Sequence, residues 1–404
     1  MRSIAAIFRC LLLGFGMFLL SATSSFSTAQ NFEVPQINEY FPKSQLIVKQ
    51  TQLTHAKFPV VDVHTHFGFK LTRDQESLQA YVDLMDRQNI AISVSLDSKL
   101  GNEQEHLDFL KTHAGRFLSF AHIDFMGSGS RQQPATWACN QPGFVRLTCE
   151  QLKAAKGKGI CGLKFFKSFG LKLKKPDGTL YAIDDPMWFP IWETCGELGL
   201  PIIIHTADPM AFFDPIGPEN ERFEELLRHP DWSFHGDDFP KREELLAARN
   251  NVIGQFRQTK FIGAHVANSS EDLAEVSQWL DEFPNLTVEI ASRIAELGRQ
   301  PFTAKAFFEK HQDRILFGTD GPWSEIRLIY YWRFLETNDE YFPYSEKQPQ
   351  PQGFWNIYGI GLSDEVLRKV YFRNAFSVIP GLKAAYEKVA YEKVELERSV
   401  ELGK

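Results

Sequence analysis

Residues Val60-Val61-Asp62-Val63-His64-Thr65-His66 combine an apolar run with two imidazoles one residue apart. On an extended strand alternate side chains share a face, so Asp62, His64 and His66 are expected to point the same way. Two imidazoles so placed at a strand end can share a cation. The same spacing also suits a hydrogen-bonded histidine pair. Three more apolar runs end in polar groups: Ile202-Ile203-Ile204 in His205, Phe261-Ile262-Gly263-Ala264 in His265, and Ile315-Leu316-Phe317-Gly318-Thr319 in Asp320. Any one of these is a plausible core or rim residue. If all converge on one rim, four histidines and an aspartate form a nitrogen- and carboxylate-rich ligand set of the catalytic kind.

Bringing them together requires a particular arrangement of elements. Eight apolar or β-branched runs occur at Pro59–His66, Ile90–Leu96, Phe117–Asp124, Ile160–Lys167, Pro201–Thr206, Lys260–His265, Leu286–Ala291 and Arg314–Asp320. Near-continuous apolar runs are the mark of strands buried on both faces. Between them lie helix-period segments, such as Leu78, Tyr81, Val82 and Met85, or Leu273, Val276 and Leu280. Ser363 and Asp364 signal the start of a last helix. Alternating strands and helices predict parallel βαβ units. Eight units over residues 58–380 predict an α/β protein with a (β/α)₈ TIM-type barrel, whose strand ends build one rim. The alternative, an open doubly wound sheet, has one switch point and no use for polar residues at so many strand ends. Insertions follow strands 3 (126–150), 5 (207–240) and 8 (321–362). The last is aromatic-rich, with Trp323, Tyr331, Trp332 and Trp355, and reads either as a cover for the barrel or as a substrate wall.

With HxH on the first strand, histidines on the fifth and sixth and Gly318-Thr319-Asp320 on the eighth, the chain resembles the amidohydrolase superfamily. The closer resemblance is to the amidohydrolase-related branch that includes the aminocarboxymuconate semialdehyde decarboxylase type. The resemblance implies His64, His66, His205 and Asp320 as metal ligands, with His265 and Asp320 as catalytic acid–base groups. Zinc is the first choice for nitrogen-rich ligation, and manganese or iron also suits. Some superfamily members carry a carboxylated lysine bridging two metals on strand four. Here Lys164 and Lys167 differ in parity, so at most one faces inward in a regular strand. One divalent metal is the expectation, with either lysine a cation for an anionic substrate. Arg293 and Arg299 after strand seven are candidates for a bidentate clamp on such a substrate, or for surface ion pairs. Trp323 is a candidate pocket wall. His235, Asp237 and Asp238 read as solvated loop residues.

Residues 1–29 combine Arg2 and Arg9, the apolar run Cys10–Leu20 and the small residues Ser27-Thr28-Ala29, the pattern of an export signal. The run is about half of the roughly 20 residues a membrane span needs. An exported chain keeps disulfides, and Cys139 with Cys149 is the most plausible pair, whereas Cys161 and Cys195 read as buried apolar residues. Residues 30–57 read as a leader and 381–404 as a charged tail that repeats Ala-Tyr-Glu-Lys-Val. A net charge of −7 argues against a nucleic-acid partner, and no membrane partner is expected after signal cleavage. The expected partner is a small, possibly anionic molecule. Three functions compete: an exported metal-dependent hydrolase of amides, esters or lactones, a non-oxidative decarboxylase, and a barrel that binds without turnover. The full set of polar strand ends disfavours the third. Export favours the first.

Overall fold

The strand-forming runs pair in chain order in a computed structural model that describes residues 33–36, 39–40 and 42–390. The export-signal pattern, and the tail beyond Ala390, lie outside the described residues. The chain divides into a unit ending at Ser44 and one of Gln45–Lys404. The second unit holds all eight described strands: β1 Val60–Thr65, β2 Ile90–Lys99, β3 Phe117–His122, β4 Ile160–Phe165, β5 Ile202–Ile204, β6 Phe261–Gly263, β7 Leu286–Glu289 and β8 Ile315–Leu316.

All seven sequential pairings are parallel. The ring closes between β8 and β1, where Val63 N donates to Phe317 O at 3.0 Å and Asp320 N to His64 O at 2.8 Å. A parallel bridge joins Thr65 to Gly321. Parallel neighbours need crossovers, and helices such as Gln75–Gln88, Phe144–Gly157 and Arg242–Gln255 supply them. The architecture is the expected (β/α)₈ barrel with insertions after strands 3, 5 and 8. Several strands are shorter than their apolar runs, because the chain leaves the ladder just before each polar strand end.

Two apolar clusters follow from strand alternation. Val60, Leu163, Phe165 and Val288 pack outward on the helices. Val61, Val63, Ile92, Val94, Ile203, Ile262 and Leu316 fill the interior with Ala375, Val378, Ile379 and Leu382 from the C-terminal segment. That segment caps the N-terminal end of the barrel: Lys260 Nζ, just before β6, donates to Ser377 O at 2.5 Å. Asn374 Nδ2 donates to Ile315 O at 2.8 Å. The opposite end is left to the polar strand ends. Tyr331 and Trp332 of the aromatic insertion are fully buried and pack on Phe317 at 5.7 and 5.1 Å, so these two rings are structural.

The anticipated disulfide is absent. All four described cysteines are free. Cys139 is buried in a short turn, while Cys149 lies on the Phe144–Gly157 helix and its thiol faces Pro190 O at 3.5 Å on the Phe189–Leu198 helix. Among the described residues no helix is long and apolar enough to cross a membrane.

Candidate metal centre and active site

Val61 and Val63 face the barrel interior, so strict alternation would turn His64 away from it. The register against β2 shifts between Asp62 and Thr65, and such irregularities re-aim side chains. His64 lies inside, and Asp62 does not join it. Asp62 instead ties β1 to β8, accepting from Thr319 N at 3.1 Å and from Thr319 Oγ1 at 2.5 Å. Burial pushes its carboxyl up to about 7.

Each imidazole of the pair is held from behind by a carboxylate. His64 Nδ1 donates to Glu289 Oε1 at 2.9 Å, and His66 Nδ1 to Asp97 Oδ1 at 2.6 Å. Such partners set the tautomer that leaves Nε2 a lone pair. The two Nε2 atoms face one another at 3.1 Å. Asp320 Oδ1 lies 3.8 Å from that of His64 and 3.5 Å from that of His66. Burial and the charge of Lys164 hold His64 well below the ordinary imidazole pKa. Burial raises the pKa of Asp320, but His64, Lys70 and His66 outweigh it and hold the carboxyl down at about 2. Metal–nitrogen bonds of about 2.1 Å at ordinary angles space two donor nitrogens roughly 3.0–3.4 Å apart. His64, His66 and Asp320 therefore fit a divalent cation.

His265 donates from Nδ1 to Ala291 O at 2.8 Å, which leaves Nε2 as an acceptor. Burial, with His205 and Arg293 nearby, holds it well below the usual imidazole range. Its ring centroid is 4.9 Å from that of His64 and 4.5 Å from that of His205. His205 Nε2 is turned to Asp208 Oδ1 at 3.3 Å, so His205 stands beside the His64–His66–Asp320 set and its donor nitrogen is engaged elsewhere. Asp208 also pairs with Lys167 Nζ. Lys167 and His205 outweigh burial to hold Asp208 at about 2.

The backbone pays for this convergence in strain. Ala207, His265 through Asn268, Ser292 and Asp320 all have φ between 51° and 61°, left-handed values that cost non-glycine residues about 1–3 kcal/mol each. They follow β5, β6, β7 and β8 and swing the strand-end side chains over the mouth. Gly318 answers a different need: a Cβ there would lie 2.5 Å from Glu289 Oε2.

Above the centre opens a cavity of about 1040 Å³, lined by His205, His265, Arg293, Asp320 and Trp323 among others. Lys164 is 1 % exposed, with Nζ 3.5 Å from His64 Nε2. Lys167 also reaches the mouth, contrary to the parity expectation, because β4 ends at Phe165 and alternation no longer governs it. The expected Arg293–Arg299 clamp does not form. Arg299 pairs with Glu221 and lies 4.1 Å from the Trp355 ring, a surface contact made by the long loop after β5. Of these two, only Arg293 borders the cavity. Sequence reading missed Glu289, Asp97, Asp208 and Lys70. A lone glutamate inside the apolar run Val288-Glu289-Ile290 is the one signal that pointed to any of them.

The amidohydrolase family profile matches residues 61–379. Similar solved structures include a TIM-barrel protein from Bordetella bronchiseptica, at 13% identity and TM-score 0.48 over 81% of this chain and 99% of that one. The 2,6-dihydroxybenzoate decarboxylase from Rhizobium is 16% identical, with TM-score 0.48 over 79% and 98%. A probable 2-pyrone-4,6-dicarboxylic acid hydrolase from Acinetobacter baumannii is 12% identical, with TM-score 0.40 over 79% and 98%. No curated protein matches. With the matched segment spanning the barrel from its first strand to its C-terminal cap, the chain belongs to the amidohydrolase family and is an enzyme of that superfamily.

Proposed function

We propose that this enzyme is a metal-dependent hydrolase that opens an amide, ester or lactone carbonyl of a small anionic molecule. The observation that carries the reading is the neutral His265, its Nδ1 committed to Ala291 O, beside the converging His64, His66 and Asp320. Those three residues would hold one divalent cation, zinc by preference, with His205 completing the set on turning from Asp208. When bound, the cation polarises a carbonyl and makes water acidic enough to attack near neutral pH. Asp320, ionised throughout the neutral range, takes the proton of the attacking water. The water oxygen bonds to the carbonyl carbon. His265 Nε2, an acceptor, takes a hydrogen bond from the remaining O–H of that water and orients it for attack. The carbon–nitrogen or carbon–oxygen bond breaks, and Asp320 returns its proton to the leaving group. Arg293 holds a substrate carboxylate. The pattern of residues 1–29 supports an exported enzyme.

Non-oxidative decarboxylation is the second reading. It is favoured by Arg293, buried at the cavity with no carboxylate within ion-pair distance among the described residues, which would hold the departing carboxylate. A panel of lactones, esters, amides and aromatic carboxylates separates the two. Acid release without carbon dioxide is the expected result, and carbon dioxide evolution would reverse the assignment. His265→Ala is expected to lower kcat by about 10²–10⁴-fold with bound metal unchanged. Undiminished turnover would remove His265 from the reaction.

A further inference from the structure

Several cations that line the cavity have a carboxylate partner. Arg222 pairs with Glu296 at 2.9 Å and Glu225 at 3.2 Å. Lys167 pairs with Asp208, and Lys70 lies 3.7 Å from Asp320 Oδ1. Among the described residues two buried arginines of the cavity wall have none. Arg293, 6 % exposed, reaches only Ser292 O and Asn268 Oδ1, both at 3.2 Å. Arg327, also 6 % exposed, donates from Nη1 to Tyr344 O at 2.8 Å, and its buried Nε has no partner.

Arg327 comes from the helix Glu325–Glu336 of the insertion after β8. Its guanidinium lies 5.3 Å from the Trp323 ring and 5.8 Å from that of Tyr344. Lys70 Nζ sits 4.0 Å from the same Trp323 ring. Glu346, also on the cavity wall, accepts from Ser324 Oγ at 2.7 Å and makes no ion pair with Arg327. Burying a guanidinium without a counter-charge is costly. Aromatic faces, one carbonyl and the nearby Glu346 carboxylate offset part of that cost, and the unpartnered Nε is left for an anion.

We propose that Arg327, with Lys70 beside it on the Trp323 ring, forms a second anion subsite in the cavity that Arg293 also lines, so that the enzyme selects small molecules carrying two carboxylates. This rests on the reading of the cavity as the substrate site, and it is independent of which bond is broken there.

The test is calorimetric titration of the purified full chain with benzoate, isophthalate and terephthalate. One dicarboxylate is expected to bind at least about 10-fold tighter than benzoate, the gain of a second charge-assisted contact. Arg327→Met is expected to erase that preference while leaving benzoate affinity within about 3-fold, and Arg327→Lys to restore part of it. Should Arg327→Met fail to fold, Arg327→Gln carries the same expectation. Equal binding of one and two carboxylates overturns the proposal. So does an intact preference in Arg327→Met with only a lowered Tm, which would make Arg327 structural, or no dicarboxylate binding at all. A preserved dicarboxylate preference without hydrolytic turnover would fault the reaction and leave the subsite standing.

Discussion

An imidazole has two ring nitrogens, and a histidine pair presents both Nε2 atoms to one ion only when both Nδ1 atoms are occupied. Glu289 and Asp97 occupy them here, from β7 and β2. Glu289 does more: Oε1 also accepts from His265 N at 2.7 Å and Oε2 from Ala291 N at 2.5 Å. One carboxylate thus orients a ligand candidate and anchors the turn that bears the catalytic histidine. Glu289→Gln keeps the size and loses the charge. It is expected to weaken metal affinity by about 10–100-fold, read by competition with a chromogenic chelator, while the far-ultraviolet circular dichroism stays that of the native barrel. An unchanged affinity would mean that His64 needs no carboxylate behind it.

At the scale of elements, the centre depends on how closely β8 approaches β1 and β7. Gly318 marks that approach, since an added methyl would strike Glu289 Oε2 at 2.5 Å and His64 Cβ at 3.1 Å. Gly318→Ala is therefore expected to cost about 1–3 kcal/mol in denaturant unfolding and to lower bound metal in the same preparation. Native stability with full metal content would show that the strands have room to part. A strand–helix tie lies outside the residues lining the cavity, where His106 Nε2 meets Ser95 Oγ at 2.7 Å. Burial pushes His106 down to about 4 from an ordinary 6.5. Its neutral form is favoured on folding, so its contribution is present above about pH 6.5 and is lost as pH falls toward 4. His106→Gln is expected to remove up to about 3 kcal/mol of the stability lost over that window. A pH–stability curve identical to that of the parent would exclude the residue from acid unfolding.

For the molecule as a whole, the two ends of the barrel have separate tasks. The C-terminal segment seals the N-terminal end with Leu382, which is fully buried against interior strand residues, while chemistry occupies the other mouth. Leu382→Ala should cost about 2–5 kcal/mol of stability through the cavity it leaves. Metal affinity, measured well below the new Tm, should be unchanged. Joint loss of stability and metal affinity would show that the ends are mechanically coupled.

The sequence by itself determined the alternation of strands and helices, because hydrophobic period is a local property of the chain. It also placed His64, His66, His205, His265 and Asp320 at strand ends, since each polar residue follows its own apolar run. Tertiary structure decided what local pattern does not encode. A register shift set which way the His64 side chain faces. Left-handed residues after β5 to β8 set where His265 and Asp320 sit. Strand pairing supplied Asp97 from neighbouring β2 and Glu289 from β7, and packing gave Arg299 to Glu221 and left Cys139 and Cys149 apart. Each of these depends on atoms that meet only in the folded barrel, and no spacing along the chain records that meeting.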